Sequence, residues 1–284
     1  MRLVTFQSAG RACVGVIDGD ELIDLAAAMP GAPESLKEII AKGVDLSLVA
    51  RSASPAVRRP LSSVQLLPPI GQPGKIVCLG LNYAAHAAEG AQNVAQVPTL
   101  FLRVATSLTG HGQPMILPRV SEKLDFEAEL MVIIGKGGRH IEREKALDHV
   151  FGYSLFNDGS VRDFQRATTQ WTAGKNFDRT GAFGPAIVTA DELPAGARGL
   201  RIRSILNGQV MQDANTENMV FDIASTIQFL STIMTLEPGD CIATGTPEGV
   251  GFARKPPVWL KAGDVIAVEV EKVGRLENTV MVER

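Results

Sequence analysis

Two glutamates and an aspartate have the residue types and the spacing of a metal site. Glu127 and Glu129 lie two positions apart in the segment 125–135, whose apolar residues predict a β-strand. Side chains two apart on a strand share a face, so both carboxylates point toward one spot. Asp158 follows another apolar run, 151–156, where we expect a strand to end and turn toward the same site. Buried like charges repel, and oxygen ligands without a His–Cys cluster favour a hard cation, Mg²⁺ or Mn²⁺. From the pattern alone, an edge strand with solvated glutamates is the alternative.

His86 and Glu89 form a second candidate pair. They lie three positions apart in the segment 79–90, which runs from a predicted strand into a short Ala-rich helix, so they share a helical face. There the carboxylate would orient the imidazole and raise its basicity, as a general base requires. A surface His–Glu pair is the alternative. The other histidines are interpreted as ordinary turn or surface residues: His111, His140 and His149.

Three further polar residues are candidates for binding an anion. Lys175, among the turn and aromatic residues 171–178, would supply positive charge to a developing oxyanion, and a solvated loop lysine is the alternative. Arg103 lies in the apolar run 101–104, where an unpaired charge is costly, so it pairs with a protein carboxylate or with that of a substrate. Thr246 follows a predicted strand in a turn suited to carboxylate binding, and a plain turn is the alternative.

Composition limits the classes of partner. The 284 residues carry a formal net charge of -3 and no run of five or six Lys or Arg, which excludes a nucleic-acid or polybasic membrane surface and favours a small molecule. The three cysteines stand singly among apolar residues, as buried thiols do in a reducing compartment. The apolar segment 219–236 contains several polar residues, so it predicts a buried or interface helix rather than a membrane span. No secretory signal begins the sequence, and we expect a cytoplasmic protein.

The patterns that must position these residues predict two domains. Short strands around the turn at 18–20, a helix at 35–42 and a linker-like stretch at 51–60 place a boundary between about 55 and 72. We therefore expect a small N-terminal α+β domain over 1–65 and a catalytic domain over 72–284.

Strand patterns dominate the second domain and do not alternate strictly with helices, which predicts a mainly antiparallel or mixed sheet. The fold class is therefore α+β and β-rich. The predicted strands are 76–79, 99–103, 130–134, 152–156, 185–188, 202–206, 241–244 and 265–270, and the predicted helices are 143–150, 163–170 and 219–235.

In their order, these segments resemble the fumarylacetoacetate hydrolase family from about Lys75 to the C-terminus. The segments that match are Asn82-Tyr83 with His86 and Glu89, Asp125-Phe126-Glu127-x-Glu129-Leu130, Asn157-Asp158-x-Ser160-x-Arg162-Asp163-x-Gln165, Trp171-Thr172-x-x-Lys175 and Thr244-Gly245-Thr246-Pro247. The resemblance implies a mixed-sheet β-roll, a homodimer and, as in many bacterial members, a smaller N-terminal domain.

The resemblance also implies the role of each candidate residue. The metal ligands would be Glu127, Glu129 and Asp158, the catalytic residues His86 and Glu89 on a mobile lid with Lys175 as the oxyanion partner, and the substrate-binding residues Gln165, Thr246, Arg162 and Arg103. Arg103 stands where many relatives have lysine, which changes the hydrogen-bond geometry and leaves the identity of the substrate open.

The function implied is a metal-dependent hydrolase that cleaves a C–C bond of a small 2,4-dioxo acid through a metal-bound enolate. His86 would activate the attacking water. Decarboxylation of an oxaloacetate-type 2-oxo acid or isomerisation of a hydroxydienoate would use the same site, and a non-catalytic metal-binding module is a minor alternative.

Overall fold

The N-terminal part of the chain is an antiparallel meander covered by short helices. The computed structural model describes residues 1–90 and 96–284. The strands of this part are β1 (Arg2–Ser8), β2 (Arg11–Asp18), β3 (Glu21–Asp24), β4 (Arg58–Pro60) and β5 (Gln65–Leu67), and its helices are α1 (Leu25–Ala28), α2 (Leu36–Lys42) and α3 (Ser47–Ser52). The helix predicted at 35–42 is confirmed, since the Ser35 side chain caps α2 by accepting a hydrogen bond from the N–H of Glu38.

The stretch predicted as a linker is partly a strand. β4 pairs with β3, and its arginines lie beside acidic residues of the meander. Arg58 contacts Asp18 and Glu21, and Arg59 contacts Asp24 at 2.7 Å. These ion pairs hold the segment in place. Its Ser, Ala and Pro content had indicated a segment without regular structure.

The rest of the chain is rich in strands, which confirms the predicted fold class. Its elements are β6 (Ile76–Gly80), α4 (Ala84–Glu89), β7 (Thr99–Arg103), β8 (Leu108–Thr109), β9 (Met115–Leu117), β10 (Leu124–Asp125), β11 (Ala128–Ile134), β12 (Val150–Asp158), β13 (Ser160–Val161), α5 (Arg162–Gln165), α6 (Thr172–Lys175), β14 (Gly181–Thr189), β15 (Arg201–Leu206), β16 (Gln209–Asn215), α7 (Ile223–Ile233), β17 (Cys241–Ala243), β18 (Val265–Val270) and β19 (Gly274–Val282).

Two large sheets organise these strands. The first has the order β4-β3-β2-β1-β14-β12-β11-β17-β6-β7, with β5 on β1 and β8 on β14, so it runs from the N-terminal meander into the rest of the chain. The second has the order β16-β15-β18-β19-β9. Most pairs are antiparallel, whereas β17–β6, β14–β8 and β19–β9 are parallel. The predicted mixed sheet is confirmed.

The central strand β11 is buried on both faces. Leu130 and Val132 belong to a core that also contains Ile202 and Val268 of the second sheet. Met131 and Ile133 point to the opposite face, where they join a core shared with α2. This double burial explains why the strand reads as a continuous apolar run rather than an alternation.

Three predicted helices differ from the elements observed. Residues Arg143–His149 form 3-10 turns, and α5 is a single turn. α7 begins at Ile223 rather than 219, because the Asp222 side chain caps it by accepting from the N–H of Ser225. Within the described ranges, no helix has the length and the apolar character needed to cross a bilayer.

Candidate active site

The three predicted metal ligands lie together, with Glu129 on β11, Glu127 in the residue before that strand and Asp158 at the end of the neighbouring strand β12. β11 and β12 are antiparallel neighbours, and the N–H of Asp158 donates to the carbonyl of Glu127 at 3.0 Å. Asp158 belongs to β12 and pairs with Gly181, so that strand continues past 156, where the sequence had predicted its end. All three carboxylates are buried, and one ligand oxygen of each lies within 4.8 Å of the others.

Two of the three carboxylates are neutralised by cations of the protein. Glu127 accepts from Arg162 and from Lys175, both at 2.6 Å, and Lys175 also contacts Asp158 at 2.6 Å. Burial alone would raise the pKa of Glu127, but Arg162 and Lys175 outweigh it and lower that pKa. Burial alone would lower the pKa of Lys175, but Asp158 and Glu127 raise it. These shifts favour the charged forms of Glu127 and Lys175.

Glu129 differs from its neighbours. In the described part of the chain no Lys or Arg contacts it, and its protein donor is the N–H of Gly245 at 2.9 Å. Burial, reinforced by Asp158 and Glu127, raises its pKa well above the ordinary value. A buried carboxylate that lacks a counterion, beside two others that offer oxygen atoms, fits a hard divalent cation.

His86 and Glu89 also lie together. Both are on α4, and the Nδ1 atom of His86 lies 2.8 Å from the Oε1 atom of Glu89. The Oε2 atom of Glu89 accepts from the N–H of Gly249 at 2.9 Å, which ties α4 to the loop after β17. Because Nδ1 is occupied, Nε2 is the nitrogen available to a substrate. The mobile lid expected to carry His86 and Glu89 stays a prediction, and residues 91–95, which follow Gly90, lie outside the described residues.

His86 and two of the three carboxylates, Glu127 and Glu129, line one cavity. Its volume is about 60 Å³, which suits a small ligand, since one water needs roughly 10–15 Å³ by such a measure. Its predicted functional residues are His86, Glu127, Glu129, Lys175, Arg162, Gln165 and Thr246. Apolar and aromatic side chains complete the wall: Leu79, Leu81, Phe101, Trp171 and Phe252.

The predicted substrate-binding residues differ in their hydrogen-bond partners and in their positions relative to the cavity. Gln165 accepts from Arg162 through Oε1 at 2.8 Å, which leaves its amide nitrogen available to the cavity. Thr246 accepts from the Nε2 atom of Gln212 at 2.8 Å. Arg162 donates from Nε to Asp125 at 2.8 Å, and thus links two carboxylates while it lines the wall.

Arg103 does not line the cavity. Its guanidinium is fully buried and donates to Asp158 at 2.5 Å, to Ser107 and Thr180 at 3.2 and 3.0 Å, and to the carbonyl of Gly159 at 3.1 Å. With its donors engaged by the protein, Arg103 is placed to orient Asp158 rather than to contact substrate. Of the two partners expected from the sequence, the structure favours the protein carboxylate.

Several residues of the site had no assigned role at the level of sequence. Asp125 accepts from Arg162 and from the N–H groups of Gly251 and Phe252, at 2.8, 2.8 and 3.0 Å. Its position two residues before Glu127 was a usable signal. Phe252 and Arg166 come from segments without motif character, so only the fold brings them to the cavity.

The fold and the site define a β-rich enzyme with an acidic group able to bind a metal. Residues 75–281 match the family described as fumarylacetoacetate (FAA) hydrolase C-terminal, and residues 1–69 match the family described as Rv2993c-like, N-terminal. The chain belongs to the fumarylacetoacetate hydrolase family, whose members are enzymes.

Similar proteins cover almost the whole chain. Oxaloacetate tautomerase fahd2, mitochondrial, from Xenopus laevis is 41% identical to this chain. The match covers 99% of this chain and 90% of the Xenopus protein. The solved fumarylacetoacetate hydrolase from Exiguobacterium antarcticum is 37% identical with a TM-score of 0.87, and the match covers 100% of each chain. Maleylpyruvate hydrolase from Sphingobium sp. SYK-6, solved with manganese(II) and pyruvate, is 34% identical with a TM-score of 0.83 and the same coverage.

Proposed function

We propose that the protein is a divalent-metal-dependent tautomerase that interconverts the keto and enol forms of a small 2-oxo diacid such as oxaloacetate. The observation that carries the proposal is that His86, held by Glu89, lines one small cavity together with Glu127 and Glu129, two members of the carboxylate trio. This places a base next to a cation site, which is the arrangement that proton transfer beside a carbonyl requires. The relative from Xenopus laevis supports the choice of reaction.

The metal site is proposed to consist of Glu127, Glu129 and Asp158, with Mg²⁺ or Mn²⁺ as the ion. When bound, the ion supplies positive charge beside the keto group and so acidifies the neighbouring C–H group. The unneutralised Glu129 supports this assignment, and so does the manganese in the solved relative.

His86 is proposed to move the proton. Its Nε2 atom takes a proton from C3 of the keto form, the C3–H electron pair becomes the C2–C3 π bond, the C2–O π pair moves to the keto oxygen, and the proton is returned to that oxygen. Glu89 accepts a hydrogen bond from the Nδ1–H group of His86 and thereby holds the tautomer whose Nε2 lone pair is free. Lys175 stabilises the negative charge that develops on the oxygen.

The side chains of Arg162, Gln165 and Thr246 are proposed to position the substrate. Gln165 has a free amide N–H group and Thr246 a hydroxyl group in the cavity wall. The aromatic wall limits the access of bulk water, which strengthens each polar contact inside.

Hydrolysis of a 2,4-dioxo acid is the second candidate, and the two solved hydrolases favour it. His86 would then activate a water molecule for attack on a distal carbonyl. The first candidate is favoured by sequence, since the tautomerase from Xenopus laevis is 41% identical to this chain and the two hydrolases are 37% and 34% identical.

Assays of the purified protein with Mg²⁺ or Mn²⁺ separate these candidates. We expect faster decay of the ultraviolet absorbance of enol-oxaloacetate, without release of pyruvate. Cleavage of acylpyruvates, or decarboxylation of oxaloacetate, at a higher kcat/KM than tautomerisation would overturn the assignment. The homodimer expected from the sequence stays a prediction, which sedimentation velocity tests.

A further inference from the structure

Arg166 is an arginine of the cavity wall without a carboxylate partner. It lines the cavity and is also exposed to solvent, so it lies at the cavity mouth. Its guanidinium carbon lies 4.1 Å from the centroid of the Phe252 ring. Across the described ranges, 1–90 and 96–284, no acidic side chain forms an ion pair with it, and the nearby Asp125, which favours its charged form, is paired with Arg162.

The other cations around the cavity are all paired. Arg103 contacts Asp158, Lys175 contacts both Glu127 and Asp158, and Arg162 contacts Glu127 and Asp125. The three carboxylates of these pairs and Glu129 make four negative groups. The three paired cations and Arg166 make four positive groups. Among the residues that the structure describes, the two charged groups of this set without an ion-pair partner are Glu129 in the buried wall and Arg166 at the mouth.

We propose that Arg166 is a specificity-determining residue, which binds the second carboxylate of the substrate and selects diacids over monoacids. The inference rests on the proposed function, since it takes a 2-oxo acid whose head group lies at the carboxylate trio. The far end of such an acid then points away from the trio, toward the mouth. A guanidinium group matches a carboxylate in shape and charge and forms two parallel hydrogen bonds with it.

The surroundings of Arg166 favour the binding of an anion by its guanidinium group. The Phe252 ring packs against both Arg166 and Arg162, whose guanidinium carbon is 4.4 Å from the ring centroid, and so limits the directions that the two side chains take. Partial burial, with the nearby charge of Arg162, lowers the pKa of Arg166, whereas an incoming carboxylate favours the charged form.

A matched pair of ligands tests this role. Oxaloacetate and 2-oxobutyrate share the 2-oxo acid head and the four-carbon chain, and differ in that a methyl group replaces the far carboxylate. Binding to the Mg²⁺-loaded protein is followed by tryptophan fluorescence, because Trp171 lies in the cavity wall. Wild type is expected to bind oxaloacetate more tightly.

In Arg166→Gln, the dissociation constant for oxaloacetate should rise by about tenfold or more, as loss of a charged hydrogen-bond donor predicts. The dissociation constant for 2-oxobutyrate should not change. Arg166→Lys should restore part of the preference for oxaloacetate over 2-oxobutyrate. Arg198→Gln, at another exposed arginine, is the control and should match wild type. Equal weakening of both acids by Arg166→Gln, or no weakening of oxaloacetate, would overturn the proposal. Selective binding of oxaloacetate without tautomerisation would instead refute only the proposed function.

Discussion

His86 and Glu89 are in direct contact, with the Nδ1 atom of the imidazole 2.8 Å from the Oε1 atom of the carboxylate. The other oxygen of Glu89 is held by the N–H of Gly249, so the carboxylate has a fixed position between the helix and the loop after β17. A base fixed in this way has one defined tautomer and one nitrogen directed to the cavity.

Replacement of Glu89 by Gln should slow the reaction without removing the base. The amide keeps the size of the carboxylate but loses its charge, so it stabilises the imidazolium less. We expect kcat to fall by about tenfold to a hundredfold, as for other partners that orient a functional histidine, with little change in KM. Steady-state kinetics on enol-oxaloacetate measure this, and an unchanged kcat would show that Glu89 does not assist His86.

Replacement of Arg103 by Met should destabilise the protein, because Asp158 loses a buried counterion. Loss of one partner of a buried ion pair typically costs about 3–5 kcal/mol of unfolding free energy. Urea denaturation in the presence of a chelator measures this cost without a contribution from bound metal.

The control is the double variant Arg103→Met with Asp158→Asn, which removes both charges and should recover part of the loss. Equal stabilities of the single and the double variant would contradict the positioning role of Arg103.

Replacement of Glu129 by Gln should abolish stabilisation by the metal. An ion that binds the folded protein at a hundred times its dissociation constant adds about 2.7 kcal/mol to the unfolding free energy. We therefore expect Mn²⁺ to raise the melting temperature of wild type but not that of Glu129→Gln. The metal-free variant should be at least as stable as metal-free wild type, since it lacks the repulsion that raises the pKa of Glu129. A full Mn²⁺ effect in the variant would exclude Glu129 as a ligand.

The stability of the protein should depend on pH through His111. Burial lowers the pKa of His111 below its ordinary value of 6.5, and its Nδ1 atom accepts from the N–H of Glu277 at 3.1 Å. The unfolded chain therefore takes up a proton at higher pH than the folded protein does. The contribution of neutral His111 to the free energy of unfolding is complete above pH 6.5. It is lost as the pH falls through the window below that value.

Unfolding free energies of wild type and His111→Gln, measured in chelator from pH 7.5 to pH 5, test this dependence. The difference between the two proteins should shrink as the pH falls. A constant difference would show that His111 keeps the same proton affinity in both states.

Local pattern was sufficient to predict most strands of the catalytic part and the convergence of Glu127 and Glu129. Alternation and spacing on one strand determine such features, and they are visible in a short window of sequence. The helix boundaries were less accurate, because a cap such as Asp222 decides where α7 begins within a long apolar segment.

Long-range contacts account for what the sequence did not predict. Arg103 and Asp158 are 55 positions apart, so no local pattern reveals that the charge of Arg103 is used within the protein. Phe252 and Arg166 are 86 positions apart and meet where Asp125 accepts from the N–H groups of Gly251 and Phe252. The strand β4 likewise depends on pairing with β3 rather than on its own composition.

Exchange of the C3 hydrogens of oxaloacetate in D₂O, followed by proton NMR, tests the central claim most directly. With the Mg²⁺-loaded wild type we predict exchange well above the uncatalysed rate, without formation of pyruvate. In His86→Asn the enzymatic exchange should fall by about 10²-fold or more, as loss of a general base predicts, while Mn²⁺ still raises the melting temperature. Undiminished exchange in His86→Asn, or pyruvate release without exchange in wild type, would contradict the account.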